Sequence, residues 1–262
     1  MKKNNVLARD YSKFIKQTLI ACALLLGVSS VAPLCAEERG DWSMTVGADA
    51  ANTNLWRGMA SGGLCLQPSA YFDYEQGDWA VSLGTWATTS MTKGRYGDHY
   101  DEWDLSVEAT WKGLTLSLAG YNEYYDREFG GTFLDLGLSY TLSEDVPVTL
   151  SWYSIINQTA EGGVDGGSGF DWASAFPSYF EVAYDFSVWE VDFNAAAGFC
   201  PFASDYYGSE AFSMYNLNLR AGHEFEFEHG GTLPVSAQVM YNPAWNEMFW
   251  GVSVGYYFSL DF

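Results

Sequence analysis

Apolar residues recur at every second position along most of the chain beyond residue 40, most clearly at its end. Over Phe249–Phe262, Trp250, Val252, Val254, Tyr256, Phe258, Leu260 and Phe262 alternate with Gly251, Ser253, Gly255, Tyr257, Ser259 and Asp261. A period of two gives a β-strand one apolar and one more polar face. Strands of soluble domains usually run about five or six residues, whereas a tilted strand that crosses a bilayer needs about nine to eleven. The length of this alternation favours a bilayer-crossing strand over the last strand of a soluble sandwich or lipocalin-like barrel.

The same reading places twelve strands. The first spans Ser43–Leu55, with Met44, Val46 and Ala48 outside and Asp49 inside; the second spans Leu64–Tyr74, with Leu64, Leu66, Ala70, Phe72 and Tyr74 outside. Trp79, Val81, Leu83 and Ala87 mark the third, and Trp103, Leu105, Val107, Ala109 and Trp111 the fourth. The fifth puts Leu114, Leu116 and Leu118 outside and Tyr121, Glu123 and Tyr125 inside. Leu134–Tyr140 and Val148–Trp152 define the sixth and seventh. Phe180–Phe186, Trp189–Phe199 and Tyr215–Arg220 define the eighth to tenth, and Leu233–Tyr241 precedes the C-terminal strand.

Loop lengths follow a parity of their own. Connections after even strands are short (Glu75–Asp78, Lys112–Gly113, Ser143–Asp145, Asp185–Val188, Glu226–Gly231), and those after odd strands are mostly longer and richer in Gly (Ser90–Asp101, Asn157–Phe176, Cys200–Phe212). Short turns on one side and long loops on the other is the habit of outer-membrane barrels with both chain ends in the periplasm. The predicted fold is therefore an all-β transmembrane antiparallel up-and-down barrel of about twelve strands.

The N-terminal segment fits export to such a membrane. Lys2, Lys3, Arg9, Lys13 and Lys16 precede an apolar run from Thr18 to Val31, then Pro33 and the small residue Ala36. This reads as a cleavable signal peptide over residues 1–36, followed by a barrel over 37–262. The Leu19-Ile20-Ala21-Cys22 box lies before most of the apolar run and is rejected as a lipoprotein site. Removing residues 1–36 takes out five bases and one acid (Asp10) and deepens the formal charge from −21 to −25. So acidic a chain is a poor partner for nucleic acid. With 18% aromatic residues and 27 glycines it is not a disordered acidic tail either. Trp79, Trp103, Trp111, Trp152, Trp189 and Trp250 have the outward parity of interfacial girdles.

The inner parity gathers Asp49, Glu102, Asp104, Glu108, Glu123, Asp135, Glu181, Asp185, Glu190 and Asp192 against two bases, Arg57 and Arg220. An acidic lumen concentrates cations and repels anions, and Arg220 with Asp192 could form an eyelet. Tyr121 and Tyr125 inside could stack on a solute or join a hydrogen-bonding network. A barrel of this size lies between filled eight-stranded and open sixteen-stranded ones, so a narrow channel and a packed plug are both open. Cys65 and Cys200 remain after cleavage; an oxidising compartment permits a disulfide between them, although inward-folding loops would be needed to join such distant strands, and two buried thiols are the alternative. Catalysis finds little support: His99, His223 and His229 are the only histidines, and Asp98-His99-Tyr100-Asp101 is the only Asp–His cluster on an external loop. The Gly-rich Glu161–Phe170 segment with Asp165 lacks the spacing of a defined calcium loop. No cofactor or metal is expected.

Leu55-Trp56-Arg57-Gly58, Ser61, Gln67-Pro68, Gly84-Thr85-Trp86-Ala87 and Glu102-Trp103-Asp104 resemble the front half of the TorF-like porins, over about the first seventy residues after the signal peptide. This chain departs from the family pattern with Trp56 in place of Phe before Arg-Gly. The resemblance implies a pore, with no catalytic residues to carry over. A terminal Phe262 in an alternating strand is likewise similar to the C-terminal assembly signal of outer-membrane barrels. The expected function is an outer-membrane channel for small solutes, with lipid, lipopolysaccharide and the barrel-assembly machinery as partners. A non-conducting barrel with surface-binding loops is the competing class, and a barrel enzyme at the outer rim a third.

Overall fold

The computed structural model describes residues 40–143, 145–157, 176–204, 206–227 and 230–262. The proposed signal peptide, the Glu161–Phe170 segment and His229 lie outside them. Fourteen strands occur among the described residues: β1 (Asp41–Ala51), β2 (Asn54–Trp56), β3 (Met59–Ser61), β4 (Cys65–Gln76), β5 (Trp79–Ser90), β6 (Tyr100–Trp111), β7 (Leu114–Tyr125), β8 (Glu128–Thr141), β9 (Val148–Ile155), β10 (Ser178–Val188), β11 (Val191–Cys200), β12 (Ser213–Glu226), β13 (Thr232–Asn242) and β14 (Glu247–Asp261). Twelve of them form a closed antiparallel barrel, while β2 and β3 pair only with each other. No helix occurs among the described residues.

β1 closes the ring. Val46 lies opposite Ala70 on β4 and Phe258 on β14, and the Phe262 amide donates to the Trp42 carbonyl at 2.9 Å. Cross-strand partners share a face, so the period-two pattern propagates around the barrel. Trp250, Val252, Val254 and Tyr256 are exposed along the outside of β14, beside Val235 and Val239 of β13. An apolar belt this continuous is the surface expected toward hydrocarbon, and closure leaves no unpaired edge within it.

Aromatic rings thicken both ends of the belt. Trp42 stacks on Phe72 at 5.0 Å and lies 4.5 Å from Tyr74, and Trp79 meets Trp111 at 6.0 Å, all at the end carrying the chain termini. Phe180 stacks on Phe199 at 5.5 Å at the other end. Trp189 lies in a turn rather than on a strand. It occupies the turn after β10 with φ +58° and is 95% exposed, because β10 continues to Val188 and the turn is Trp189–Glu190 rather than Asp185–Val188. Asp185 stays in the ladder, its carboxylate accepting from Asn194 at 2.7 Å.

The turn-side parity holds at the end with the chain termini. Gly77-Asp78, Lys112-Gly113 and Trp189-Glu190 are two-residue connections. At the opposite end, β7 and β8 are also joined by two residues, Asp126-Arg127. Two irregularities bend the ladder: Gly130 is extra on β8 opposite β7, and Tyr215 is extra on β12 opposite β11. A bulge re-aims the extra residue, and Tyr215 is fully buried.

A charge placed on the lipid face tests the membrane assignment. Val254→Arg, near the middle of β14, is expected to destabilise the folded barrel by about 2–4 kcal/mol. Urea unfolding in phospholipid vesicles would read this, and an unchanged midpoint would remove Val254 from the hydrocarbon.

Candidate functional site

The barrel's inner wall meets an insert that strand periodicity did not anticipate. Leu55, expected within the first strand, belongs instead to a separate hairpin, because β1 ends at Ala51. Asn52 continues the β1–β14 contact, its side-chain carbonyl accepting from the Val252 amide at 2.7 Å. Beyond it β2 and β3 turn at Arg57-Gly58, with Trp56 paired to Met59. Positive φ at both turn residues, +41° and +87°, is the type I′ geometry of a two-residue hairpin.

The hairpin tip docks on β13 and β12, two and three places round the ring from β1. The Gly58 carbonyl accepts from Asn242 Nδ2 at 3.0 Å, and its amide lies 3.3 Å from Met240 Sδ. A Cβ on Gly58 would collide with the Tyr215 carbonyl. Glycine is therefore required there twice over, for its φ and for this close approach. At the hairpin's base Gln67 Nε2 donates to Asn54 Oδ1 at 3.2 Å.

Arg57 is carried to the centre of this arrangement. Its Nη2 lies 2.7 Å from Asp135 Oδ2, and the two side chains are 9% and 2% exposed. Its Nη1 donates to the Tyr207 hydroxyl at 3.1 Å. The guanidinium sits 3.9 Å from the Tyr153 ring centroid, 4.6 Å from Trp56 and 5.3 Å from Tyr179. Planar, delocalised and weakly hydrated, guanidinium suits an ion pair walled by aromatic faces. Tyr121 completes the cage by donating to Asp135 Oδ2 at 2.8 Å.

The segment between β11 and β12 packs against the same hairpin. Ser204 and Ser209 exchange backbone hydrogen bonds at 2.7 and 2.9 Å, pinching off a small loop that holds Tyr206 and Tyr207. Tyr207 stacks on Trp56 at 6.3 Å and on Tyr179 at 5.8 Å, and Tyr215 donates to its carbonyl. Tyr206 meets Phe133 edge-on at 4.9 Å. Above the hairpin, the β5–β6 loop reaches β14, with the Tyr96 hydroxyl donating to Glu247 at 2.5 Å.

The remaining inner acids meet tyrosines and small polar groups rather than bases. Tyr100 donates to Glu102 at 2.9 Å, Tyr125 to Glu123 at 3.0 Å and Tyr179 to Glu181 at 2.6 Å, each two residues along its own strand. Asp192 accepts from Ser187 at 2.5 Å. Asp104 and Glu108 share the inner parity of β6 with Glu102. The expected eyelet between Arg220 and Asp192 does not form: Asn194 faces Arg220, Gly222 faces Asp192, and Arg220 makes no ion pair among the described residues.

Cys65 and Cys200 are separate buried thiols, so the disulfide left open by the sequence is not formed. Cys65 donates to the Ala51 carbonyl at 3.6 Å, whereas Cys200 belongs to the buried cluster with Tyr179, Tyr207 and Tyr215. His99 places Nδ1 3.3 Å from the Ser90 carbonyl, and its amide donates to Asp126. His223 lies beside the Glu190 carbonyl with outward parity. Neither imidazole is hydrogen-bonded to a carboxylate.

The hairpin separates two spaces in the lumen. One, of about 360 Å³, is lined by Trp56, Tyr100, Glu102, Glu123, Tyr125 and Phe133 among others. The second, of about 260 Å³, is lined by Asp49, Gln67, Arg220, Gln238 and other polar residues. Asn54 belongs to both walls.

No family model matches the chain, and comparison with curated proteins gave no match. Solved structures similar to it are outer-membrane barrels. An outer-membrane channel from Pseudomonas putida F1 aligns over 84% of this chain and 95% of its own, at 9% identity and a TM-score of 0.42. The CymD monoaromatic hydrocarbon channel aligns over 86% and 89%, at 8% identity and a TM-score of 0.42. The translocator domain of the autotransporter NalP from Neisseria meningitidis aligns over 92% and 97%, at 13% identity and a TM-score of 0.39.

The ion pair makes a sharp expectation. Arg57→Ala strands the Asp135 carboxylate in a buried site and is expected to cost about 3–5 kcal/mol. An apolar double replacement, Arg57→Met with Asp135→Leu, is expected to recover most of that loss. Thermal unfolding of the three refolded proteins would compare them; a double variant as weak as Arg57→Ala would show that the pair is not the dominant contact.

Proposed function

We propose that the protein is an outer-membrane channel for small solutes, preferring cations, with the β2–β3 hairpin as its constriction. The observation that carries this reading is the shared Asn54. Asn54 lines the spaces on both sides of the hairpin, and its side chain accepts from Gln67 on the wall of the second, so a polar residue stands between them. A polar group at a constriction can exchange its hydrogen bond with a passing hydrated solute, which a wall of packed aromatics cannot.

Charge supports the preference. Glu102 and Glu123 line the first space and Asp49 the second, while Arg57 is neutralised by Asp135 and only Arg220 adds a base to the second. The resemblance of the Trp56-Arg57-Gly58 region to TorF-like porins fits this reading, and that tripeptide is the hairpin tip. The same reading assigns export by cleavage after Ala36. It also assigns assembly through the strand ending at Phe262 and an outer face set in lipid and lipopolysaccharide.

A non-conducting barrel is the second reading, favoured by the close caging of Arg57 among aromatic rings. Single-channel recording of the refolded mature barrel in planar bilayers separates the two. Small cation-selective steps are expected, with selectivity reduced in Glu102→Gln/Glu123→Gln and conductance raised several-fold in Arg57→Ala. Anion preference would overturn the acidic-lumen reading. Electrical silence of both the wild type and Arg57→Ala, each shown to be folded and inserted, would establish the non-conducting one.

A further inference from the structure

The larger of the two spaces beside the hairpin is more than a widening of the lumen. Its walls combine two carboxylates with several ring faces. Glu102 on β6 and Glu123 on β7 are direct cross-strand partners on the inner face, and the next inner pair, Tyr100 and Tyr125, has ring centroids 5.3 Å apart. Trp56 comes from the hairpin, Tyr206 from the β11–β12 loop and Phe133 from β8, so rings approach from separate elements.

The two carboxylates are cross-strand partners, half-buried and without a base. No Lys, Arg or His among the described residues lies within ion-pair distance of Glu102 or Glu123. The bases that could reach this end are committed elsewhere: Arg57 to Asp135, Lys93 to Asp126, Arg95 to Glu247 and Arg127 to Asp101. Like charges in adjoining positions repel, and the repulsion strengthens as water is excluded. The tyrosine hydroxyls donate to the carboxylates but bring no positive charge.

We infer that this cavity binds an organic cation with an apolar body, of the alkylammonium class, entering from the long-loop side of the barrel. The Glu102–Glu123 pair supplies the counter-charge, and the ring faces receive the alkyl groups around the nitrogen. The volume, about 360 Å³, is at the small end of ligand cavities, which run from about 300 Å³. A neutral hydrocarbon would cover the two carboxylates without replacing their hydration, and an anion would be repelled. A bare metal ion would gain the carboxylates but leave the aromatic walls unused. This inference rests on the channel reading only for what happens after binding.

The test is isothermal titration of the refolded mature barrel with choline and with its uncharged isostere 3,3-dimethylbutan-1-ol. Choline is expected to bind saturably and the isostere at least tenfold more weakly. Glu102→Gln/Glu123→Gln is expected to weaken choline at least tenfold and leave the isostere unchanged, while Tyr125→Leu weakens choline with both carboxylates in place. Each variant is first shown to be folded by heat-modifiable gel migration. Absence of saturable choline binding to the folded wild type, or equal binding of the two probes, would overturn the inference. A barrel that conducts potassium but takes up no choline would refute the site and keep the channel. One that binds choline and stays electrically silent would do the reverse.

Discussion

The lumen is organised around the buried contact between Arg57 and Asp135. Taking both charges out of water is costly, and such a pair persists when its geometry is good and its remaining hydrogen-bonding groups are satisfied. Here the hairpin delivers the guanidinium, β8 delivers the carboxylate, and tyrosines from β7 and the β11–β12 loop add donor and acceptor contacts, although Asp135 Oδ1 has no hydrogen-bond partner among the described residues. An isolated two-strand hairpin is marginal in water. This one is held at its tip by Gly58, Met240 and Asn242, and at its base by Asn52 and Gln67. The pair therefore sets where the hairpin stops and how the interior is divided.

That division determines the character of what is left open. Tyrosine hydroxyls two residues from a glutamate on the same strand hold the acids in place without cancelling their charge. The first space is thus acidic and aromatic, the second polar with Asp49 and Arg220 facing into it. The electrostatic difference between them follows from where the few bases fall, since most of the others pair at exposed rims.

Much of the barrel could be read in advance because lipid and lumen impose opposite polarity on successive residues. Trp250 through Leu260 showed the outward row, and Glu102, Asp104 and Glu108 the inward one. Twelve barrel strands followed from turn spacing. The hairpin was hidden because three-residue strands carry too few positions to reveal a period, although Trp56-Arg57-Gly58-Met59 held the signal of a two-residue turn. Asp135 was assigned to the inner face, but its partner was beyond reach, since nothing local links it to a residue 78 positions earlier. The Arg220 eyelet failed by two residues: pairing places Asn194, not Asp192, across from the arginine. Tyr153, Tyr179 and Tyr207 were missed as a cage because the first two look locally like any strand tyrosine and Tyr207 lies in the loop between β11 and β12, where no period applies.

The hairpin lies near the start of the barrel sequence, yet its seat is built from the middle and the end. Asp135 comes from β8, Tyr207 and Tyr215 from the region entering β12, and Met240 and Asn242 from β13. Contacts so distant in sequence cannot form until the intervening strands have paired. The element that narrows the lumen is thus among the first to be synthesised and among the last to be seated. Until then the interior is wider, and its narrowing is a late step of assembly.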